Sequence, residues 1–305
     1  MSIAVVRARA MSARGFLHLS ISSCVVLFLV VTSGAFVRLT GSGLGCENWP
    51  SCGDKPYPEQ GFHAFVEFGN RLIALVGILL TLVTWLASRR VDGLSRTARL
   101  AALGAFLVAA AQIPMGGITI ALDLHPLAVM VHFLLGLSVV GLAVVVALEA
   151  WLLVSGRATP AGPPWLRRMV SWIGLPACAL LVVTGAVATA SGPHPGSSAD
   201  VDRLGVAITE TVHVHVRVAA AFGIGVLVVG WFLRGLRTTY PGIVRIWDLL
   251  FLALVAQAIL GEVQYRSALP WGLVLVHVFL AATIWALSLV LAYVLWRPPA
   301  VLARQ

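Results

Sequence analysis

Val131-His132-Phe133 and Val276-His277-Val278 stand 145 residues apart, and the polar residues around them keep that interval. Gln112 falls on Gln257, Gly116 on Gly261 and Asn70 on His215. At a slightly longer offset, Ser33-Gly34-Ala35 falls on Thr184-Gly185-Ala186. A chain that lands on itself in this way is two copies of one module, and such repeats fix the architecture before any local reading does. The matched positions are polar side chains in apolar surroundings, so the repeat also marks where chemistry is to be sought.

Composition sets the class. At 59% hydrophobic and 11% charged residues, with a mean hydropathy of +0.95, the chain is not a soluble domain. Crossing the hydrocarbon core takes about 20 apolar residues. Eight runs qualify: about 16–38, 63–87, 98–120, 125–153, 167–190, 209–233, 244–265 and 270–296. The first is too long for a signal-peptide core and has no clear small-residue cleavage site after it, so a retained helix is expected. The expected fold is an all-α integral membrane protein of eight transmembrane helices in two tandem four-helix bundles. Residues 1–156 form the first half, with an outer loop over 39–62, and residues 157–305 the second. The proline-rich stretch from Arg157 to Arg168 links them. An even number of spans per repeat makes both halves face the same way, with a pseudo-twofold axis along the membrane normal.

The arginines set the orientation. With both termini in the cytoplasm, the inner segments hold Arg7, Arg9, Arg14, Arg89, Arg90, Arg96, Arg99, Arg157, Arg167 and Arg168. They also hold Arg234, Arg237, Arg245, Arg297 and Arg304, whereas the outer loops hold only Arg38, Lys55, Arg203 and Arg266. This is the positive-inside asymmetry of a cell-membrane protein. Topology and anionic lipid thus account for the net charge of +9, which gives no support to nucleic-acid binding.

Asn70, His132, His215 and His277 lie about seven or eight residues below the outer ends of the second, fourth, sixth and eighth runs. At 1.5 Å per residue that is roughly 10–12 Å of depth. Two inward imidazoles at one depth, from two helices of one bundle, can hold a haem by both axial positions. His215 and His277 meet that description; in the first half only His132 does. A lone intramembrane histidine can equally satisfy itself on a backbone carbonyl or a neighbouring serine. Three at matched depth favour function, since ionisable groups there are costly. Zinc would need further thiolates or carboxylates nearby. His18 and His125 fall near the surfaces, and His213 points to a different side of its helix from His215.

His63, Glu67 and Asn70 share one helical face. A carboxylate in a partly apolar pocket suits proton transfer, while an ion pair with Arg71 at i+4 is the structural alternative. Arg38, Arg71 and Arg217 sit near the outer boundary, placed to meet haem propionates or lipid phosphate. Cys24 and Cys178 lie in the equivalent first and fifth apolar runs and read as packing residues. Cys46 and Cys52 flank a short proline-containing segment of the first outer loop, where a structural disulfide can persist. A redox-active thiol pair is the alternative. The loop, rich in Gly, Pro and Trp, is expected to be a folded cap over the first bundle; its counterpart around Ser191 to Ile208 lacks cysteines.

The stretch Gly34-Ala35-Phe36-Val37-Arg38-Leu39-Thr40-Gly41-Ser42-Gly43-Leu44, followed by Cys46, Trp49-Pro50 and Cys52, resembles the opening signature of the haem A synthases. Glu67 to Arg71, Gln112 with Gly116-Gly117, and the histidines of the fourth, sixth and eighth runs extend the likeness over about residues 16 to 296. The resemblance implies an oxidoreductase that converts the C8 methyl of haem O to a formyl group, giving haem A for cytochrome oxidase. It assigns His215 and His277 to the iron of a permanent haem b, and His132 and Glu67 to the pocket of the substrate haem, with Glu67 catalytic. His63, Asn70, Arg38 and Arg71 are further candidates for that pocket, and the family's outer-loop cysteines match Cys46 and Cys52. Implied partners are haem O from a protohaem farnesyltransferase, an electron acceptor of unknown identity and membrane lipid; a homo-oligomer is allowed. Many members carry a histidine where this chain has Asn70, which leaves His132 to hold the substrate haem alone, or with His63 or water opposite. A b-type cytochrome that only transfers electrons would explain the histidines but not Glu67 or the elaborate loop. A transporter would place its polar residues at the midplane.

Overall fold

The computed structural model describes residues 11–46, 48–53, 55–197 and 201–303; Arg7, Arg9 and Arg304 of the charge pattern lie outside the described residues. Among the described residues, eight helices are long and apolar enough to cross a membrane. They are α1 (Ala13–Leu39), α2 (Phe62–Ser88), α3 (Arg96–Ala121), α4 (Pro126–Ser155), α5 (Pro164–Ser191), α6 (Ile208–Leu233), α7 (Pro241–Arg266) and α8 (Trp271–Trp296). Their length and composition make the chain a multi-pass membrane protein.

Local chemistry sets the helix ends. Ser12 Oγ accepts from Gly15 N–H at 3.1 Å to start α1, and Ser95 Oγ from Ala98 N–H at 3.0 Å to start α3. Pro126, Pro164 and Pro241 each open a helix, where a missing N–H costs nothing. α5 is compound: its turn Val170–Gly174 is π-helical between two α-helical parts.

The repeat is visible in the backbone. α3 turns into α4 through Asp123 and Leu124, both at positive φ (47° and 58°). α7 turns into α8 through Ala268 and Leu269, at 61° and 59°. Left-handed pairs without glycine are uncommon, yet both halves use one at the same place, closed by the same bonds. Leu124 N–H donates to Thr119 O at 2.8 Å, and Leu269 N–H to Gln264 O at 2.7 Å.

Within the first half α1 packs on α2 and α4, and α3 on α2 and α4; α5 packs on α6 and α8, and α7 on α8. The halves join where α1 and α4 meet α8 and α4 meets α5. Trp285 N–H reaches Leu137 O at 3.1 Å across this seam, and the indole fits because residue 141 is glycine. At the face bearing the long loops, Gly43 N–H donates to Gly196 O at 2.7 Å. At the face bearing the termini, the linker lies on the end of α8, with Ala158 N–H on Pro298 O and Ala161 N–H on Leu295 O, both at 2.9 Å. There Glu149 of α4, only 3% exposed, accepts from the Tyr293 hydroxyl and pairs with Arg297.

Removing one member of a buried pair strands its partner, typically at about 3–5 kcal/mol, whereas an exposed pair is worth about 0–1 kcal/mol. Arg297 is 30% exposed, which places Glu149→Gln near the bottom of the larger range. We expect Glu149→Gln to lower the thermal unfolding midpoint in detergent clearly, and Glu262→Gln, which breaks the exposed pair with Arg266, to leave it almost unchanged.

Candidate haem sites

The four polar positions singled out by the repeat lie six to eight residues into α2, α4, α6 and α8, counted from the loop face. That is roughly 9–12 Å of depth, slightly shallower than the sequence reading placed them. Each is held by neighbours that also repeat. Gln112 Nε2 donates to His132 O at 3.1 Å, and Gln257 Nε2 to His277 O at 3.0 Å. Ser33 Oγ donates to Asn70 Oδ1 at 2.8 Å, and Thr184 Oγ1 bonds His215 Nδ1 at 3.1 Å. The same clamps therefore fix the helices that carry the four side chains.

In the second half the two imidazoles face each other, with ring centres 6.5 Å apart. Each backs onto a glycine: a Cβ on Gly185 would meet His215 Cε1 at 3.0 Å, and one on Gly261 would meet His277 Cε1 at 3.3 Å. His215 Nδ1 is held by Thr184, which leaves Nε2 as the nitrogen to offer a metal, the arrangement in which the second ring nitrogen fixes the ligating one. His277 Nδ1 is buried without a hydrogen-bond partner. Two imidazoles on opposite sides of one metal, each bonded at about 2 Å, hold their centres about 6.5 Å apart. The donor set therefore fits a bis-imidazole haem iron.

The first half is built differently over the same frame. His132 has a buried Nδ1 with no hydrogen-bond partner, as His277 does, but the position matching His215 is Asn70, its amide oxygen committed to Ser33. One turn toward the loop face, Glu67 is 5% exposed. Its carboxylate pairs with Arg71, so the ion-pair alternative forms, and it also accepts from Cys46 N–H at 2.8 Å. Arg71 Nη1 donates to the carbonyls of Asn48, Pro50 and Ser51 at 3.1, 3.0 and 2.8 Å, and the guanidinium lies 4.7 Å from the centre of the Trp49 ring. Cys46 and Cys52 form a disulfide. Trp49 rests on α3: a Cβ on Gly116 would meet its ring at 3.1 Å, and one on Gly117 at 2.9 Å. The loop is thus a folded cap whose anchor is Glu67–Arg71 and whose plug is Trp49.

The other candidates lie further out. His63 is exposed and its Nδ1 bonds Ser42 Oγ at 2.9 Å. Arg38 crosses to the second half, donating to Thr189 O and His194 O, both at 3.0 Å. Arg203 donates to Thr189 O as well, at 2.8 Å, and burial pulls its guanidinium below its ordinary pKa. His18, His125, His213 and Arg217 are exposed. Sequence reasoning missed the seats: Trp49 on Gly116–Gly117, and Gly185 and Gly261 behind the imidazoles. The signal was present, since the repeat already paired Gly116 with Gly261 and set Ser33-Gly34 over Thr184-Gly185.

A profile of the cytochrome oxidase assembly protein family, COX15-CtaA, matches residues 18–289. The chain is similar to a protein named heme A synthase from Bacillus pumilus, 27% identical over 132 residues, 43% of this chain and 42% of the relative. A heme A synthase from Bacillus cereus is 32% identical over 133 residues, again 43% and 42% of the two chains. The aligned part thus spans less than half the length of these relatives.

Three charge-assisted bonds to loop carbonyls, each worth about 1.5–3 kcal/mol, should vanish in Arg71→Leu. We expect amide exchange at Cys46 and Cys52 to quicken about tenfold or more, with Arg71→Lys between the two because an ammonium cannot span three carbonyls and a carboxylate. Unchanged exchange in Arg71→Leu would contradict the anchoring role.

Proposed function

Because the chain belongs to the cytochrome oxidase assembly protein family, we propose that it is a haem A synthase. In this reading it oxidises the C8 methyl of haem O to a formyl group, in the cell membrane with both termini cytoplasmic. The observation that carries the reading is one clamp frame bearing two unlike pockets: facing imidazoles in the second half, and His132 beneath a tethered, disulfide-closed cap in the first.

His215 and His277 would hold a resident haem b, which when bound supplies one-electron transfer between the substrate and an external acceptor. Their two glycine seats and the Thr184 bond orient the rings. The first pocket would receive haem O as substrate, with His132 offered to its iron from α4. Asn70 opposite is a poor iron ligand, which suits a haem that must arrive and depart. The farnesyl tail would lie in apolar space between helices or in lipid.

In each of two successive stages the methyl carbon would take one oxygen from water and give up two protons and two electrons, the electrons passing to the external acceptor. The second stage gives a gem-diol that loses water to leave the aldehyde. Glu67 would take up the proton released at the methyl carbon. It stands one turn from Asn70 on the same face of α2, on the cap side, with Arg71 and Cys46 N–H fixing its direction. Trp49 on Gly116–Gly117 would keep bulk water away from the loop side of that pocket.

The test is haem extraction from cells that co-express the chain with a protohaem farnesyltransferase and make no haem A themselves. We expect haem A or its hydroxymethyl precursor. General-base contributions run to about 10²–10⁴ in rate, so Glu67→Gln should cut product by about a hundredfold or more while the haem b spectrum persists. Haem B and haem O alone, in the presence of a working oxidase respiratory chain, would favour an electron-transfer cytochrome instead. Full activity of Glu67→Gln would remove Glu67 from the chemistry.

A further inference from the structure

The two halves differ also at a second pair of equivalent places, nearer the face that bears the termini. In the first half four helices close on a gap of about 10 Å³. Ser23 Oγ meets Thr84 Oγ1 there at 2.8 Å and Leu80 O at 3.4 Å, bolting α1 to α2. The repeat carries Thr84 onto Val229 and, by the longer offset of the Ser33–Thr184 match, Ser23 onto Gly174. The bolt is therefore absent from the second half. Its α5 takes a π-helical turn at Val170–Gly174, a distortion that often marks a functional place.

What opens there is a cavity of about 250 Å³. Val226, Val229, Trp247, Leu250 and Ser288, which line it, are the repeat mates of Thr81, Thr84, Ala102, Ala105 and Ala143 around the small gap. The wall is apolar but for two groups. The Trp247 indole N–H is already bonded to Val226 O at 2.9 Å, and the buried Ser288 hydroxyl, beside the Cys178 thiol, has no well-formed hydrogen bond. Water needs two to four polar partners and finds too few here, whereas an apolar cavity of about 150 Å³ already admits benzene. On its rim, Ile173 is 66% and Val228 42% exposed, on the side that faces hydrocarbon in a membrane. Along α6 its residues, Ala221 to Val229, lie six to fourteen positions past His215, roughly 9–21 Å toward the termini, so it is separate from the facing imidazoles.

We propose that this cavity binds one hydrocarbon chain, acyl or isoprenoid, drawn sideways from the lipid phase between α5 and α6. The polar head stays outside, because the wall offers it almost no hydrogen-bonding partner. The chain supplies the dispersion contacts that a void of this size forfeits on every wall. Gly225 is part of the lining, and a Cβ there meets nothing within 4 Å, so a longer side chain at 225 starts in open space at the cavity. This inference does not depend on the haem reading.

The experiment photolabels the full-length protein in detergent with a diazirine-bearing palmitate and maps the adducts by mass spectrometry. We expect adducts in the peptides around Val170–Gly174 and Trp247–Leu250, falling about fivefold or more in Gly225→Phe as the ring takes the chain's place. Gly225→Leu is the gentler second variant, and an unchanged elution profile reports an intact fold. Leu252→Phe, on the exposed surface of α7, should label as the wild type does. Excess unlabelled palmitate and excess geranylgeraniol distinguish the sources: displacement by either supports the site and names its chain. Displacement by neither, or equal labelling of the wild type and both Gly225 variants, would overturn the proposal.

Discussion

A polar side chain at membrane depth is costly unless protein or a bound group satisfies it, because hydrocarbon offers no hydrogen bonds and water is far away. That constraint organises this chain. Gln112 and Gln257 each tie α3 or α7 to the carbonyl of the histidine on the next helix, and Ser33 and Thr184 each tie α1 or α5 to the residue at the equivalent place on α2 or α6. Two bonds per half thus set where His132, Asn70, His215 and His277 can stand. The left-handed turns after α3 and α7 supply the matching helix spacing from the loop face.

On that shared frame the halves have specialised by what fills the space around it. In the first, the loop folds back, Trp49 takes the room over Gly116 and Gly117, and Glu67 with Arg71 holds the cap down. In the second, Gly261 gives its room to His277 and Gly185 gives its own to His215. At the other end the first half is bolted by Ser23 and Thr84 while the second is left open. The first half has a lid and a single imidazole; the second has both imidazoles and, apart from them, an apolar cavity. Exchange of a substrate and retention of a cofactor ask for this kind of division.

Much of this was legible because hydropathy and repeats are strong signals in a membrane chain. All eight spans lie within a few residues of the apolar runs, and the matched Gln and His positions make matched contacts, whereas the matched glycines seat different side chains. Cys46 and Cys52 pair within the loop, as their spacing and the intervening proline favoured. Glu67 was read with two roles open, and sequence could not choose between them, since i+4 geometry permits the ion pair without requiring it. The turns at Asp123–Leu124 and Ala268–Leu269 were not legible because neither carries the glycine that usually betrays a left-handed backbone. The π-helical turn in α5 was hidden for a similar reason: Val170–Gly174 reads as ordinary apolar helix. The seat of Trp49 depends on a long-range contact that no local pattern encodes.

The claim at the centre is that one half holds a haem iron between two imidazoles and the other offers only one. Electron paramagnetic resonance of the purified oxidised protein tests it most directly. The account predicts a low-spin bis-imidazole signal that is lost or changed in character in both His215→Met and His277→Met and is retained in His132→Met. A signal that survives either of the first two substitutions, or that disappears with His132, would place the resident haem elsewhere and contradict the division of labour between the halves.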